Sequence, residues 1–393
     1  MKVPQIFDRN MKRLAFLDNA VSVGYSLEIN SLWTATFTLP ADDDKNAYCQ
    51  PLNFVEIFDG DERIDLFRII GEDLERSNGA TRFYDCEHVL ATLLSDVLFQ
   101  YHQYGGGGIK TADVLNYVLA RQTTRNWVLG DCDFKRYFEY NWENSTLLAA
   151  LFAVPECFDS EYMWTWDTTV YPWTISLVAP SDTMKSEVRY AKNMTSMKKT
   201  VDASGIANRI YALGYGEGVN QLTIAGVNGG KPYVEDAMSI QQYGLCSTIL
   251  VDSRYEVAEN LKGYAEQMLA ELKNPYVSYE IGAIDLHRLT GDTFSKFRPG
   301  EIVRVVDEAD GINLRTRIVS VEKSDAQGDP GSVTVTIANK SKDIAGSISE
   351  LQNRALINET YAQGATNQQI YNFTDNADAT HPAKLQLYIS DSV

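Results

Sequence analysis

Histidines and cysteines, the side chains most often used as bases and nucleophiles, are few in this chain and widely spaced. None of the four histidines lies in an HExxH or HxH pattern, so no zinc-protease signature is present; they are His88, His102, His287 and His381. The sequence also has no GxSxG elbow and no P-loop. Cys86 lies two residues from His88, which puts both on one face of a strand. We interpret them as a buried core pair rather than as a nucleophile and its base.

Two other segments carry weaker chemical signals. Residues 214–218, Gly-Tyr-Gly-Glu-Gly, are similar to a phosphate-binding loop, but a strand follows them, so a hairpin turn is the favoured interpretation. Asp42-Asp43-Asp44 could hold a hard cation such as Ca²⁺, yet the segment lacks the glycine and the distal glutamate of a calcium loop. A solvated turn explains this segment better. The sequence therefore assigns no catalytic residue, no metal ligand and no cofactor.

An aromatic hairpin is the remaining candidate binding surface. Tyr162, Trp164 and Trp166 alternate along one predicted strand, so their side chains share a face. Such a face could stack sugar rings and bind glycans. Packed core faces and protein interfaces use the same pattern more often, and both interpretations stay open at this point.

The composition favours a β-rich protein and argues against a groove that grips nucleic acid. The 393 residues carry a formal net charge of −18, whereas phosphate contacts require clusters of lysine and arginine. An acidic channel past which DNA slides without binding is compatible with that charge, because like charges repel. Aromatic residues make up 11% of the chain and include 22 tyrosines, which is typical of β-rich folds and protein interfaces.

The cysteines and the apolar segments indicate synthesis in a reducing compartment. The five cysteines are scattered without a CxxC pair, and we interpret them as reduced residues of the core. The N-terminus has no apolar signal core. No run approaches the roughly 18 apolar residues that a membrane span needs. These features predict a protein that is made in the cytoplasm and does not span a membrane.

Two distant segments repeat the same strand pattern. Residues 54–60, Phe-Val-Glu-Ile-Phe-Asp-Gly, lead through a short polar gap into an Arg-Ile strand at 67–72. Residues 301–307, Glu-Ile-Val-Arg-Val-Val-Asp, lead through a turn into a second Arg-Ile strand at 316–322. A proline-containing stretch precedes each copy. This duplication predicts pseudo-symmetry, and a trimer of a two-unit chain would present six similar β modules to a six-fold partner.

The predicted fold class is α+β and β-rich, with two similar small β-barrel-like domains, a mixed α/β insertion and a C-terminal helical extension. Apolar spacing predicts a helix at His88–Phe99 and a longer one from Ser253 to about Leu272. The predicted parts are a first β domain (1–87), the insertion (88–200), return strands with the long helix (201–274), a second β domain (275–340) and a C-terminal helix and tail (341–393).

The C-terminal part contains a short heptad pattern. Its apolar residues follow one another at intervals of 4, 3 and 4, the spacing of a coiled-coil seam; they are Ile344, Ile348, Leu351 and Ala355. This segment is the candidate trimer seam. A single surface helix docked on its own domain explains the pattern equally well.

The order of features over residues 207–272 resembles one protein family. Asn208–Gly214 is followed by Leu222–Ile224, then by Asn228–Asp236, then by Tyr243-Gly244 and a long helix. Together with residues 300–319 of the second unit, this order resembles the tail-tip hub proteins of long non-contractile-tailed phages. These proteins are also called tail-associated lysins or prophage endopeptidase tail proteins. The resemblance covers roughly residues 1–345 and lies in the order of many weak motifs.

The resemblance implies a homotrimer similar to the baseplate hub of contractile-tailed phages. Such a hub would dock beneath the hexameric distal tail protein and close the tail tube in the virion. It would open for ejection of DNA into the host, with the DNA passing through without specific binding. Receptor-binding and tape-measure proteins would be further partners at the tail tip, and the chain would be synthesised in the host cytoplasm.

Many members of that family continue into a peptidase or another wall-degrading domain. Only about fifty residues follow the second β unit here, too few for such a domain. We therefore expect a structural protein, the short form of the family, without enzymatic activity. The alternatives are a wall-degrading enzyme that uses acidic residues and a host-glycan adhesin that uses the aromatic hairpin around Trp164 and Trp166.

Overall fold

The computed structural model describes residues 2–76, 80–309 and 311–338. The described part is a β-rich α+β fold with 44% strand and 19% helix, which confirms the predicted class at that level. The candidate trimer seam at Ile344, Ile348, Leu351 and Ala355 lies outside the described residues and stays a prediction.

The first β region contains seven strands. They are β1 (Gln5–Phe7), β2 (Arg13–Phe16), β3 (Ser22–Glu28), β4 (Thr34–Pro40), β5 (Phe54–Asp59), β6 (Glu62–Glu75) and β7 (Thr81–His88). The middle of the chain alternates strands and helices. Its elements are β8 (Val97–Gly105), α1 (Thr111–Leu119), β9 (Trp127–Cys132), β10 (Glu139–Thr146), α2 (Leu147–Phe152), β11 (Met163–Asp167) and β12 (Trp173–Val178).

The second half begins with two strands and ends with a second β region. Its elements are β13 (Met184–Arg189), β14 (Met194–Asp202), β15 (Arg209–Leu213), β16 (Tyr233–Glu235), α3 (Ala237–Tyr243), β17 (Ser247–Val251), α4 (Ala258–Leu272), β18 (Tyr276–Ile284), α5 (Leu286–Thr290), β19 (Ile302–Asp307), β20 (Ile312–Lys323) and β21 (Ser332–Ala338).

One long sheet joins both β regions. Among the described residues it has 13 strands, in the order β14-β18-β21-β20-β3-β4-β7-β6-β5-β1-β2, with β19 paired to β20 and β13 paired to β19. The path is open, and no closed barrel forms among these residues. β13 and all but the last two residues of β14 fall within the predicted insertion 88–200, and both strands belong to this sheet.

The two β regions have the same topology. In the first, the chain order β4, β5, β6, β7 gives the spatial order β4-β7-β6-β5; in the second, β18, β19, β20, β21 give β18-β21-β20-β19. All six pairings within the two units are antiparallel. β5 and β19 also share one burial pattern, in which the third residue is half-buried and the other five are buried. The duplication read from the sequence is therefore a duplication of strand topology.

The two copies match in local irregularities as well. A bulge separates Ile69 from Gly71 on β6, and another separates Ile318 from Ser320 at the equivalent place on β20. The residue two positions before the second strand of each unit, β5 or β19, has a positive φ, 64° at Leu52 and 85° at Gly300. A bulge and a left-handed residue at matching positions are hard to explain by chance similarity of strands.

The described residues form three apolar cores. One lies within the first unit and another within the second. The third and largest joins the predicted insertion to the strands and helix of residues 207–272. Helix α4 contributes one apolar stripe to this third core, composed of Leu261, Tyr264, Ala265, Met268, Leu269 and Leu272.

Candidate functional surface: the polar face of the long sheet

Alternation along each strand gives the long sheet one apolar face and one polar face. In β4 the buried residues Ala35, Phe37 and Leu39 alternate with threonines at 34, 36 and 38. In β21 the valines and isoleucine at 333, 335 and 337 are buried, and the residues between them are Thr334 and Thr336. The same rule in both units places the two polar faces on one side of the sheet.

Strand registers show that the polar residues lie beside one another across the junction of the two units. Ser22 is opposite Thr38, and their hydroxyl oxygens lie 3.0 Å apart. The remaining pairs on this face are Gly24↔Thr36, Ser26↔Thr34, Ser26↔Glu322, Glu28↔Ser320, Ser320↔Thr336 and Glu322↔Thr334. The surface is thus composed mainly of short hydroxyl side chains and carboxylates.

Acidic residues predominate over basic residues at the paired positions of this face. The acidic ones are Glu28, Asp73, Glu75, Asp85, Glu87, Asp202, Glu280 and Glu322. The basic ones are Arg68, whose Nε lies 2.6 Å from Glu87, Lys198, whose Nζ lies 3.8 Å from Glu280, and three arginines of β19 and β20, at 304, 315 and 317. Arg304 lies beside Glu187, and Arg317 beside Glu161 and Asp182. A surface of this charge repels phosphate backbones instead of binding them.

A buried charge cluster joins the two units on the apolar side of the sheet. Lys323 of β20 is 2% exposed, and its ammonium donates to Asp59 at 2.6 Å, to Asp285 at 2.7 Å and to the Pro330 carbonyl at 3.0 Å. Asp59 is the last residue of β5, so the contact joins the first unit to the second. The ammonium has three donors and all three are used, as a buried charge requires.

Two further side chains complete this cluster around Asp59. The Tyr25 hydroxyl donates to Asp59 at 3.0 Å, and Arg288 of α5 donates to its other oxygen at 3.3 Å. Burial and the negative charge of Asp59 raise the pKa of Tyr25 well above its ordinary value, so the phenol stays protonated as a donor. The arrangement is a structural clamp, because every polar group in it is engaged by another residue of the chain.

The Cys86–His88 pair is enclosed in the first unit. Both residues are buried, and burial raises the pKa of the Cys86 thiol well above its ordinary value. His88 Nδ1 accepts the backbone N–H of Leu90 at 3.1 Å, and Nε2 lies 3.4 Å from Asp65. A thiol that stays protonated is a poor nucleophile, so this geometry agrees with the core-pair interpretation.

The aromatic hairpin packs against the first unit and against the rest of the insertion. Trp164 is 3% exposed and stacks on Phe152 with ring centroids 5.5 Å apart. Trp166 packs edge-on against Trp33 at 4.7 Å and donates to Asp65 at 3.2 Å. Tyr162 is half-buried, its ring edge-on to Phe158 at 6.5 Å. The faces that a sugar ring would need on the two tryptophans are in contact with protein.

The remaining sequence signals have structural roles. Residues 213–223 form a hairpin in which the Gly214 N–H donates to the Leu222 carbonyl at 2.8 Å. Asp43 accepts the N–H of Lys45 at 2.9 Å and caps a short 3₁₀ helix. Within the described ranges, no group of three or more His, Cys, Asp or Glu residues could hold a metal ion. Among the same residues, no helix is long and apolar enough to cross a membrane.

Two sequence models of one family match the chain. The model described as prophage endopeptidase tail matches residues 181–348, and the model described as prophage endopeptidase tail domain matches residues 106–172. Together they span more than half of the sequence. The chain belongs to the prophage endopeptidase tail family. This phage tail protein is β-rich α+β, as the sequence predicted at that level, and its fold is similar to those of other phage tail proteins.

Solved structures of tail proteins share this fold at low sequence identity. Prophage tail protein gp18 of Listeria monocytogenes EGD-e is 14% identical with a TM-score of 0.59, covering 90% of this chain and 99% of its own. The tail protein of Neisseria meningitidis MC58 is 12% identical with a TM-score of 0.62, covering 86% and 96%. The 43 kDa tail protein of prophage MuSo2 from Shewanella oneidensis is 14% identical with a TM-score of 0.59, covering 87% and 98%. No curated protein matches the sequence.

Proposed function

We propose that this phage tail protein is the homotrimeric hub of the tail tip, which closes the tail tube and opens for DNA ejection into the host. The observation that carries the proposal is the duplicated unit, β4-β7-β6-β5 and β18-β21-β20-β19, placed in tandem along one sheet. Two equivalent units per chain allow three chains to present six equivalent surfaces. The three-fold hub would in this way match a six-fold ring.

The partner that such a hub requires is the hexameric ring of the distal tail protein. The family resemblance supplies this partner, and the duplication supplies the symmetry that the contact needs. Receptor-binding and tape-measure proteins are proposed as further neighbours at the tail tip. The proposed location is therefore the virion, at the baseplate end of the tail, after synthesis in the host cytoplasm.

The polar face of the long sheet is the proposed wall of the DNA passage. Its residues are short hydroxyls and carboxylates, such as Thr36, Ser26 and Glu322, and its Arg68 is paired with Glu87. A wall of this kind offers phosphates few cationic partners, so DNA would pass along it without being held. The two barrel-like hub domains of the sequence prediction would then correspond to two segments of a wall completed by neighbouring copies.

We propose a structural role rather than a hydrolytic one. The best-placed base, His88, is surrounded by protein and lies beside a thiol whose pKa is raised by burial. The charge cluster that joins the two units has two carboxylates, Asp59 and Asp285, and both are paired with the ammonium of Lys323. These contacts favour a clamp over a reactive site.

Reconstitution with the ring protein tests the proposal. The full chain would be mixed with the purified distal tail protein hexamer of the same phage and the complex imaged by cryo-electron microscopy. We expect three copies of the chain on one hexamer, coaxial with it, with the polar sheet face towards the axis. A complex of any other stoichiometry, or one with this face turned to solvent outside the ring, would contradict the proposal.

A further inference from the structure

Strand β3 marks the place where the first unit joins the second. One edge of β3 pairs with β4, and its other edge pairs with β20 of the second unit. The sheet order β14-β18-β21-β20-β3-β4-β7-β6 is therefore one four-strand series written twice. In that series β14 occupies the position of β3, and β6 occupies the position of β20.

The β3–β4 and β14–β18 registers show which residue of β14 is equivalent to each residue of β3. Ser22 is opposite Thr38 on β4, and Ser196 is opposite Gly282 on β18, at matching places in the two units. Following the two registers along the strands aligns Ser22–Glu28 with Ser196–Asp202. The two sequences are Ser-Val-Gly-Tyr-Ser-Leu-Glu and Ser-Met-Lys-Lys-Thr-Val-Asp, which keep serine or threonine, an apolar residue and an acid at matching places.

The bulges fix the equivalence of β6 and β20 in the same way. Ile69 and Ile318 precede the bulge, and Gly71 and Ser320 follow it. Residues 71–74 of β6 therefore align with residues 320–323 of β20. Those four residues of β20 are the ones that pair with β3.

Residues of β14 and of the end of β6 are much more exposed than the equivalent residues of β3 and β20. Tyr25 and Leu27 of β3 are 7% and 8% exposed, whereas Val201, which is equivalent to Leu27, is 56% exposed. On the other side, Lys323 is 2% exposed and its equivalent, Leu74, is 43% exposed. In the part of the chain that the structure describes, β14 pairs only with β18, and residues 71–75 pair only with β7.

We propose that the open edge of β14 in one copy pairs antiparallel with the open edge of β6 in the next copy. Transfer of the β3–β20 register places Asp202 opposite Gly71, Val201 opposite Glu72, Thr200 opposite Asp73 and Lys199 opposite Leu74. The occupant is a second copy of this chain because the two edges are the missing halves of a junction that the chain already builds once. The inference rests on the proposed trimer for the number of copies.

Charge complementarity supports this pairing. The edge of β14 carries Lys198 and Lys199, and the edge of β6 carries Asp73 and Glu75. One step beyond the transferred register, Lys198 lies beside Glu75 and diagonal to Asp73, on the polar face. On the apolar face, Val201 and Leu74 become diagonal neighbours, so two exposed apolar side chains would be covered together.

The contact is head-to-tail, because each copy supplies β14 to one neighbour and β6 to the other. A contact of this kind closes into a ring when the rotation between copies permits it. In such a ring, the rotation that relates the two units within one chain would also relate adjacent units of neighbouring copies. Pairing also covers two strand edges that otherwise invite uncontrolled association.

A cysteine pair in the full chain tests the register. Asp73→Cys with Thr200→Cys places two thiols directly opposite each other on exposed positions, so mild oxidation should link copies covalently through this contact. The matched control, Asp73→Cys with Val201→Cys, places the thiols on opposite faces and should not link. Wild type and the single-cysteine variants show how much cross-linking the native cysteines cause by themselves.

Charge reversal tests the same contact without cross-linking. Lys198→Glu should raise the dissociation constant of the oligomer about tenfold, and adding Asp73→Lys with Glu75→Lys to the same chain should restore it, because all three residues lie on the polar face. Sedimentation velocity measures both, and circular dichroism checks that each variant folds.

The outcomes separate this inference from the proposed function. Covalent oligomers formed by the Asp73–Thr200 pair alone, with rescue by the second reversal, support the β14–β6 contact. A wild-type trimer in which this pair does not link, or links within one chain, overturns the contact and leaves the trimeric hub standing. A wild-type chain that is monomeric at every concentration tested overturns both.

Discussion

The ammonium of Lys323 lies 2.6 Å from the carboxylate of Asp59, and this contact joins residues 264 positions apart in the chain. Lys323 ends the third strand of the second unit, and Asp59 ends the second strand of the first. The ion pair thus fixes the two copies of the duplicated unit relative to each other. Its partners Asp285 and Arg288 come from the second half of the chain as well.

Removal of the Lys323 ammonium should strongly destabilise the fold. Lys323→Met leaves the buried Asp59 with Arg288 as its remaining cation and the half-buried Asp285 without the ammonium, and breaking a buried pair from one side typically costs about 3–5 kcal/mol. Urea unfolding followed by tryptophan fluorescence measures the change. Lys185→Met, at an exposed position, is the control and should change the unfolding free energy by less than about 0.5 kcal/mol. Equal effects of the two substitutions would show that the cluster does not join the units.

The Asp65 carboxylate should contribute stability that depends on pH. Burial opposes its ionisation, but the electrostatic and hydrogen-bonding contacts with His88 and the hydrogen bond from Thr168 outweigh burial and hold the pKa of Asp65 below its ordinary value. A depressed carboxyl pKa gives stability that is complete above the unfolded value of about 3.9 and is lost as pH falls through the folded value.

Asp65→Asn should therefore lower the unfolding free energy by a constant amount above about pH 5 and by less at lower pH. Urea titrations of both proteins between pH 3 and pH 7 measure the difference. A difference that grows as the pH falls would contradict the assigned direction of the pKa shift.

The two left-handed residues at equivalent positions predict opposite effects of substitution. Leu52 has φ 64° and is 41% exposed, so Leu52→Gly relieves strain of roughly 1–2 kcal/mol while losing little apolar burial. Backbone entropy offsets part of that gain, and we expect a rise in the unfolding free energy of up to about 1 kcal/mol.

Gly300→Ala should act in the other direction. Gly300 has φ 85°, and a Cβ there would run into the sulfur of Met163. The substitution should lower the unfolding free energy by at least about 1 kcal/mol. Thermal unfolding of the two variants beside wild type measures whether each substitution raises or lowers the stability. A stabilised Gly300→Ala would contradict the equivalence of the two positions.

The aromatic hairpin should behave as core. Trp164→Ala should lower the unfolding free energy by about 3–5 kcal/mol, because the indole is buried against Phe152. Tyr215→Ala, at a residue that is 62% exposed, is the control and should have little effect. A folded Trp164→Ala protein of wild-type stability that has lost binding on a glycan array would instead favour the adhesin alternative.

The sequence predicted the duplicated strands because alternation and the Arg-Ile motif are local. It did not show that the units share one sheet, since the pairing of β3 with β20 joins residues about 300 positions apart and is decided by tertiary packing. The matched bulges at Ile70 and Val319 were equally hidden, because a bulge changes register without changing residue type.

One local prediction was wrong for a physical reason. The apolar spacing of His88–Phe99 predicted a helix, whereas the structure has a 3₁₀ turn at Val89–Leu94 and then strand β8 from Val97. The residues after the turn alternate Val97, Phe99 and Tyr101, all strong strand formers, and β8 pairs with β10. The long helix was correct in type, and its first turn begins five residues later than predicted, at Ala258.

The polar face and the open edges could not be read from residue types alone. No local pattern in the sequence distinguishes Thr36, Glu322 or Lys198. Only the neighbouring strands show that these residues share the polar face of the sheet. The register of a sheet decides which residues share a face, and it is set by contacts far apart in the chain.

The solution mass of the full chain tests the central claim most directly. Multi-angle light scattering should give three times the chain mass of 44.0 kDa, about 132 kDa, because the hub is proposed to be a homotrimer. A chain that remains at 44.0 kDa, or that forms a dimer, across the accessible concentrations would contradict the trimeric hub.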